Sequence, residues 1–218
     1  MVRVYLGGGI SPAVARAMAV VPRHFFVPSA LSSRAYDDVA LPIGVQQTIS
    51  QPRVVALMLT SLDVAPRMQV LDVGAGSGYV TALLARLVGP GAVTAIERQL
   101  ELIPVAHAVL QRLAANASLH LGDGLGDGAL PGPAVFDAIH VACACPELPP
   151  ALLARLAPGG RLVIPLGDHG QVQSLTLFSR APDGAVSRRT LAQVVFVPGL
   201  GGTSGAPAAA PGGQGAPS

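Results

Sequence analysis

The stretch Val70-Leu-Asp-Val-Gly-Ala-Gly-Ser-Gly-Tyr79 holds residue types that could do chemistry. A short apolar run passes into Gly74-Ala-Gly76-Ser-Gly78, and an apolar segment of helical period follows. Glycines in a strand-to-helix turn permit a tight bend and let a ligand lie against bare backbone. In open α/β sheets, ligands bind at the carboxyl ends of the strands, where this turn would sit. The spacing is Gly-x-Gly-x-Gly, and Tyr79 occupies the place of the third glycine in a dinucleotide fingerprint. The pattern therefore favours an S-adenosylmethionine site over a dinucleotide site. A turn without any ligand is the remaining alternative.

Two carboxylates extend that reading. Glu97 lies 23 residues past Gly74, at the end of a second apolar run. A carboxylate there can accept two hydrogen bonds from a ribose diol, or it is a solvated strand-end residue. Asp123, between Gly122 and Gly124, follows a third run and could accept from an adenine amino group, or merely form a turn. His140 ends a fourth run. It reads as a packed or hydrogen-bonded histidine before it reads as a base. Cys143 and Cys145 are the only cysteines. A disulfide between residues so close in sequence would be strained. Without further ligands they make no zinc site, so no metal is expected. They read as small packing residues after a strand.

These residues need a sheet to hold them. Ser11-Pro12 predicts a helix start, with the helix running to about Val20. An irregular segment with Pro22, Pro28 and Pro42 follows, and Ser50-Gln51-Pro52 opens a second helix that buries Val54, Val55, Met58, Leu59 and Leu62. Strands are expected at Met68–Val73, Ala92–Glu97, Leu119–Leu121, Phe136–Val141 and Gly160–Pro165, with helices at Tyr79–Val88, Gln99–Ala114 and Pro150–Leu156. Ser174–Phe178 and Leu191–Val197 follow with little helix between them and are expected to pair antiparallel at one edge. The alternation implies an α/β fold with a doubly wound, mostly parallel sheet. The expected organisation is a helical and loop cap over 1–67, a Rossmann-like core over 68–198, and a disordered tail over 199–218, where Gly, Ala and Pro dominate.

Composition agrees with one such domain. The chain has 218 residues, of which 50% are hydrophobic and 12% charged, so a large aliphatic core is affordable. The net charge of +2, with no basic cluster beyond Arg188-Arg189, argues against a nucleic-acid partner. No apolar stretch reaches membrane-spanning length and no leader pattern is visible, so a cytoplasmic protein without a membrane partner is expected.

Other segments carry a more specific likeness. Val21-Pro-Arg-His-Phe-Phe-Val-Pro28, Ala35-Tyr-Asp-Asp38, Ala40-Leu-Pro-Ile-Gly44, Gln47-Thr-Ile-Ser-Gln-Pro52, the Val70–Gly78 turn, Gly122-Asp-Gly124, Phe136-Asp-Ala-Ile-His-Val141, Pro158-Gly-Gly-Arg-Leu-Val-Ile-Pro165 and Phe196-Val-Pro198 occur in this order. In order and spacing the chain resembles the protein-L-isoaspartate (D-aspartate) O-methyltransferase family, from about Ser11 to Pro198. The glycine turn is shared by many methyltransferases, whereas Thr48-Ile49-Ser50 upstream of it is much more specific. The likeness departs at Val45-Gln46, at Ala142–Cys145, at Gly199 and in the short segment before Ser11.

The resemblance implies a class I S-adenosylmethionine-dependent methyltransferase fold and S-adenosyl-L-methionine as cofactor. It implies Ser50 as the active-site residue, although a helix N-cap is the plainer role for a serine there. It further implies cofactor contacts from Gln47, Thr48, Ile49, Asp72, Gly74, Gly76, Glu97, Arg98, Asp123 and Gly124. The implied activity is methylation of the free carboxylate of L-isoaspartyl residues in damaged proteins, followed by succinimide formation. Isoaspartyl peptides and proteins would be the partners, met by a monomer. Two alternatives stand: a carboxyl methyltransferase for an aspartate in one dedicated peptide, and a non-catalytic S-adenosylmethionine-binding protein.

Overall fold

A computed structural model describes residues 9–126, 130–168 and 170–199. The expected tail lies, from residue 200 onward, outside the described residues.

Pro12 opens helix α1 (Pro12–Val20) in its first turn, where a missing N–H removes no helical bond. Ser11 takes the cap position but makes no side-chain cap; its backbone N–H donates to Thr60 Oγ1 at 3.1 Å, which ties α1 to the second helix. The proline-rich segment that follows is less irregular than its composition suggests. It contains two 3-10 turns, Arg23–Phe26 and Ser29–Arg34, and ends in a hairpin of β1 (Leu41–Gly44) and β2 (Gln47–Ile49).

Helix α2 (Pro52–Leu62) buries Val55, Met58, Leu59 and Leu62, and leaves Val54 half-buried. Asp38 supplies what its own cap residue Gln51 does not. One Asp38 oxygen accepts from the Arg53 N–H at 2.9 Å and the other from Gln51 Nε2 at 3.0 Å. An anion at a helix N-terminus satisfies orphan amides and opposes the helix dipole.

The core alternates β3 (Gln69–Val73), α3 (Tyr79–Val88), β4 (Ala92–Glu97), α4 (Ile103–Leu113), β5 (Ala117–Leu121), β6 (Phe136–Val141), α5 (Pro150–Ala154), β7 (Leu156–Leu166), β8 (Gln173–Arg180) and β9 (Val186–Val194). The sheet has seven strands in the order β5-β4-β3-β6-β7-β8-β9. The pairs from β5 to β7 are parallel, and β7-β8 and β8-β9 are antiparallel. The architecture is thus the doubly wound, Rossmann-like sheet with antiparallel edge strands.

The expected ends of α3, β4 and β6 coincide with the structure; others shift for local reasons. The helix expected from Gln99 begins with a 3-10 turn at Leu100–Leu102, and the α-helical part starts at Ile103 with Pro104 in its first turn. β5 starts at Ala117, two residues early, because Ala117 pairs with Val93. α5 stops at Ala154 because Leu156 already pairs with Phe136.

The sheet is apolar on both faces, as a parallel sheet covered on both sides must be. Val70, Ala138 and Val163 face a cluster that includes α1, α2 and α3 together with Phe26, Leu41 and Ile49. Leu71, Ile139 and Leu162 face a smaller cluster with Phe136 and Leu152. The segment before β3 therefore shares one core with the sheet.

Candidate active site

β3 and β6 are neighbours, and the chain winds outward from them in opposite directions. That is the switch point at which open α/β sheets leave a crevice at the strands' carboxyl ends. The Gly74–Gly78 turn leaves β3 there. The Gly74 and Ala75 N–H groups donate to the Ile96 carbonyl at 2.9 and 3.1 Å, which ties the turn to the end of β4. Gly76 has φ +57°, and a Cβ on it would lie 3.2 Å from Ile43 Cδ1. The β1-β2 hairpin thus packs directly on the glycine turn.

Glu97 is 6% exposed, at the last position of β4. Its Oε2 accepts from the Gly76 N–H at 2.7 Å and its Oε1 from the Gln99 N–H at 2.8 Å. Two backbone donors fix the carboxylate plane, and a carboxylate offers about four acceptor directions, so two remain for a diol. Asp123 follows β5. Its Oδ1 accepts from the Leu125 N–H at 2.9 Å, and its Oδ2 lies 4.0 Å from Arg98 Nη1. At Gly124 a Cβ would lie 2.6 Å from Val73 Cγ1, so only glycine lets this loop close on β3.

Gln47, Thr48, Ile49, Ser50, Gly74, Gly76, Glu97, Arg98, Asp123 and Gly124 all line one cleft. Asp72 is the exception among the expected contacts. It is fully buried and absent from the cleft wall. Its Oδ2 accepts from Thr81 Oγ1 at 2.6 Å, and its Oδ1 pairs with His140 Nδ1 at 2.8 Å. Strand alternation turns this side chain under the turn, onto α3 and β6, so it braces the site from beneath. His140 is accordingly the hydrogen-bonded strand-end histidine, committed to Asp72.

Ser50 does not cap α2, because the cap residue is Gln51 and makes no side-chain cap bond. Thr48 and Ser50 instead border two clefts. The second cleft adjoins the first, shares Thr48, Ser50, Ala142 and Val197 with it, and extends to Gln51, Val54, Gln193 and Phe196.

Three participants were not expected from sequence. Arg23 is 1% exposed, and its guanidinium donates to the carbonyls of Ala35, Val39 and Ser50, the last two at 3.2 and 3.1 Å. Burial pushes it below the ordinary arginine value, partly offset by Tyr79 and by Asp38 and Asp37. Tyr79, on the cleft wall, has its ring centroid 5.9 Å from the Arg23 guanidinium and 5.4 Å from the Phe26 ring centroid. Burial pushes its phenol up to about 12, so it is a neutral wall at pH 7. Cys143 lines the cleft rather than only packing. A signal existed for Cys143, since it follows β6 at the switch point. For Arg23 the signal was only a cation inside an apolar segment.

The site suits an adenosylmethionine-type nucleoside: fixed carboxylates at two adjacent strand ends, a turn of exposed backbone, and an apolar floor including Val73 and Ile96. Among the described residues, no group of three or more His, Cys, Asp and Glu is gathered for a metal. No helix among them is long and apolar enough to cross a membrane.

Known proteins share the sequence and the fold. The protein-L-isoaspartate(D-aspartate) O-methyltransferase family matches residues 6–204. A protein-L-isoaspartate O-methyltransferase of Aeropyrum pernix is 48% identical over 189 residues, 86% of this chain and 72% of that protein. One of Bordetella parapertussis is 50% identical over 200 residues, 90% of this chain and 74% of that protein. A Plasmodium falciparum structure, described as a protein-L-isoaspartate O-methyltransferase in complex with S-adenosyl-L-homocysteine, superposes with a TM-score of 0.76 at 26% identity. It covers 91% of this chain and 94% of that one.

Proposed function

The chain belongs to the protein-L-isoaspartate(D-aspartate) O-methyltransferase family, and from that premise we propose how its residues carry the reaction. The activity is S-adenosylmethionine-dependent methyl transfer to the free carboxylate of L-isoaspartyl residues in proteins. One observation carries the assignment of roles: Ser50 stands on the wall common to the nucleoside cleft and its neighbour.

Glu97 holds the ribose diol, Asp123 the adenine amino group, and Gly74, Gly76 and Gly124 the close backbone approach. Gln47, Thr48, Ile49 and Arg98 complete the cofactor side. When bound, the cofactor supplies a methyl group on a positively charged sulfur. The second cleft receives the isoaspartyl peptide. A carboxylate with an ordinary pKa near ~4 is already ionised at pH 7, so no residue need take its proton. That agrees with a site led by a serine, and with His140 being committed to Asp72.

Ser50 donates from its hydroxyl to the substrate carboxylate and orients it toward the first cleft. The hairpin and Val197–Gly199 wall the reacting atoms from water, so fixed donors replace the carboxylate's hydration shell. Alignment of this kind is worth on the order of 7–11 kcal/mol. The methyl ester is then attacked by the adjacent backbone nitrogen. The resulting succinimide opens partly to normal aspartate without any enzyme group.

The segment before β3 serves as the cap that brings Ser50 to the core. One chain lines both clefts, so a monomer suffices. A cytoplasmic location is supported by two cysteines that remain thiols.

The test is labelled-methyl transfer to an isoaspartyl peptide and its aspartyl twin. Only the isoaspartyl peptide should be methylated. Label on the aspartyl peptide would favour a dedicated aspartyl substrate, and label on neither would leave a binding protein. Ser50→Ala should lose on the order of 10²-fold in kcat with S-adenosylhomocysteine affinity unchanged. Turnover like the parent's would remove Ser50 from the mechanism.

A further inference from the structure

Cys143 and Cys145 lie just past β6, beside the switch point of the sheet. Both are free thiols. Cys143 is half-buried on the wall of the nucleoside cleft, while Cys145 is 3% exposed beneath it. One residue separates the two thiols in sequence, and each shifts the other's titration, Cys143 upward and Cys145 downward. The Cys145 sulfur is 3.8 Å from the Cys143 carbonyl oxygen.

The segment that holds them is wired to both sides of the cleft. The Ala142 N–H donates to the Val73 carbonyl at 2.8 Å, and a Cβ on Gly74 would lie 3.6 Å from Ala142 Cβ. The Ala144 N–H donates to the Val197 carbonyl at 2.9 Å, and the Gly199 N–H to the Ala144 carbonyl at 2.8 Å. A Cβ on Gly199 would lie 3.3 Å from Cys143 Sγ.

We propose that the Cys143–Cys145 pair is an oxidation site, at which a peroxide entering the cleft converts the dithiol to a disulfide and thereby weakens cofactor binding. The proposal rests on the reading that this cleft holds the cofactor. The two sulfurs must approach to about 2.05 Å to bond. That contraction pulls the 142–145 segment, and with it the glycine turn on one side and Val197–Gly199 on the other.

The chemistry balances. The sulfur of Cys143, the residue on the cleft wall, attacks a peroxide oxygen. The O–O bond breaks, and the thiol proton leaves with the second oxygen in a water molecule. The Cys145 sulfur then attacks the Cys143 sulfur. The S–O bond breaks, and the hydroxyl leaves with the Cys145 proton as a second water. The peroxide gains two electrons and the thiol pair loses two. The interaction with Cys145, then burial, then the nearby Glu97 and Asp123 carboxylates hold Cys143 above its ordinary pKa, whereas the interaction with Cys143 lowers Cys145. The first step is therefore slow, and the second is intramolecular, so the sulfenic acid meets Cys145 before a second peroxide. A disulfide across one intervening residue is strained, hence readily reduced and reversible. By linkage, bound cofactor opposes its formation by the same factor that the disulfide weakens the cofactor.

The test treats the full chain with hydrogen peroxide and follows intact mass and S-adenosylhomocysteine affinity. The reduced chain should bind. If it does not, the cofactor reading fails instead of this proposal. The oxidised chain should lose two hydrogens, gain no oxygen, and bind on the order of tenfold more weakly, with recovery in dithiothreitol. Prior addition of S-adenosylhomocysteine should slow the change. Cys145→Ser should bind like the parent when reduced, and under peroxide should gain oxygen at Cys143 that dithiothreitol does not remove. Oxygen gain without disulfide in the parent chain, or a disulfide that leaves affinity unchanged, overturns the proposal.

Discussion

At the residue scale, Glu97 serves folding and, on the reading proposed above, binding as well. Its two oxygens take N–H groups from Gly76 and Gln99, so the carboxylate locks the glycine turn to the end of β4. The remaining acceptor directions face the cleft. Glu97→Ala removes charged acceptors worth about 1.5–3 kcal/mol each. With two such bonds to the diol, S-adenosylhomocysteine binding should weaken by on the order of 10²-fold or more, read by calorimetry at a temperature where circular dichroism shows the variant folded. Unchanged affinity would place the ribose elsewhere. The position of Glu97 on the cleft wall was legible in sequence because it depends on a strand end and a spacing. Asp72 is placed differently from the other expected contacts. It belongs to the motif of the turn, but its side chain points beneath it, to Thr81 and His140. Sequence order shows that a residue is near a site; only the alternation of the strand shows which side of the site it serves.

At the element scale, the β1-β2 hairpin decides where Thr48 and Ser50 stand, and it was the least legible element. β1 contains Pro42, which argues against a strand, and the two strands are too short to show alternation. Its turn residues argue against a hairpin as well. Val45 has φ +42° and Gln46 φ +58°, the left-handed pair of a two-residue hairpin turn that Asn-Gly fits best. A side chain in this region costs about 1–2 kcal/mol, and a β-branched one is the worst placed. The turn therefore holds strain, retained by the packing of Ile43 on the glycine turn. The double substitution Val45→Asn, Gln46→Gly should relieve about 1 kcal/mol of it and raise the melting temperature by roughly 2–4 °C. Calorimetry checks this, and an unchanged or lower melting temperature would show that the strain is absent. The longer core elements were legible for the opposite reason. α3 is an apolar run between Gly78 and Gly89, β4 follows Gly91 and β6 is an apolar run past Pro133, whereas β7 begins at Leu156 and β9 at Val186, both ahead of the expected Gly160 and Leu191.

At the scale of the whole molecule, the question is what keeps the segment before β3 registered on the sheet. Apolar packing supplies adhesion through Phe26, Leu41 and Ile49, but it is tolerant of small displacements. Arg23 fixes the parts of this segment relative to one another and meets the core at Tyr79 of α3, whose ring centroid lies 5.9 Å from its guanidinium. Its guanidinium binds the carbonyls of Ala35, Val39 and Ser50, which come from the second 3-10 turn, the approach to the hairpin and the active-site loop. A planar fork holds three oxygens in one plane, which a lysine ammonium does not reproduce. Arg23→Lys should therefore leave carbonyls unpaired at about 1–3 kcal/mol each. We expect a loss of roughly 2–3 kcal/mol in urea denaturation and, in the folded variant, a fall in kcat larger than any rise in the cofactor's Kd. The kcat effect follows because Ser50 moves while Glu97, held by Gly76 and Gln99, does not. Equal losses in kcat and cofactor affinity would mean that the whole cleft had loosened, and that Arg23 stabilises the fold without registering the serine.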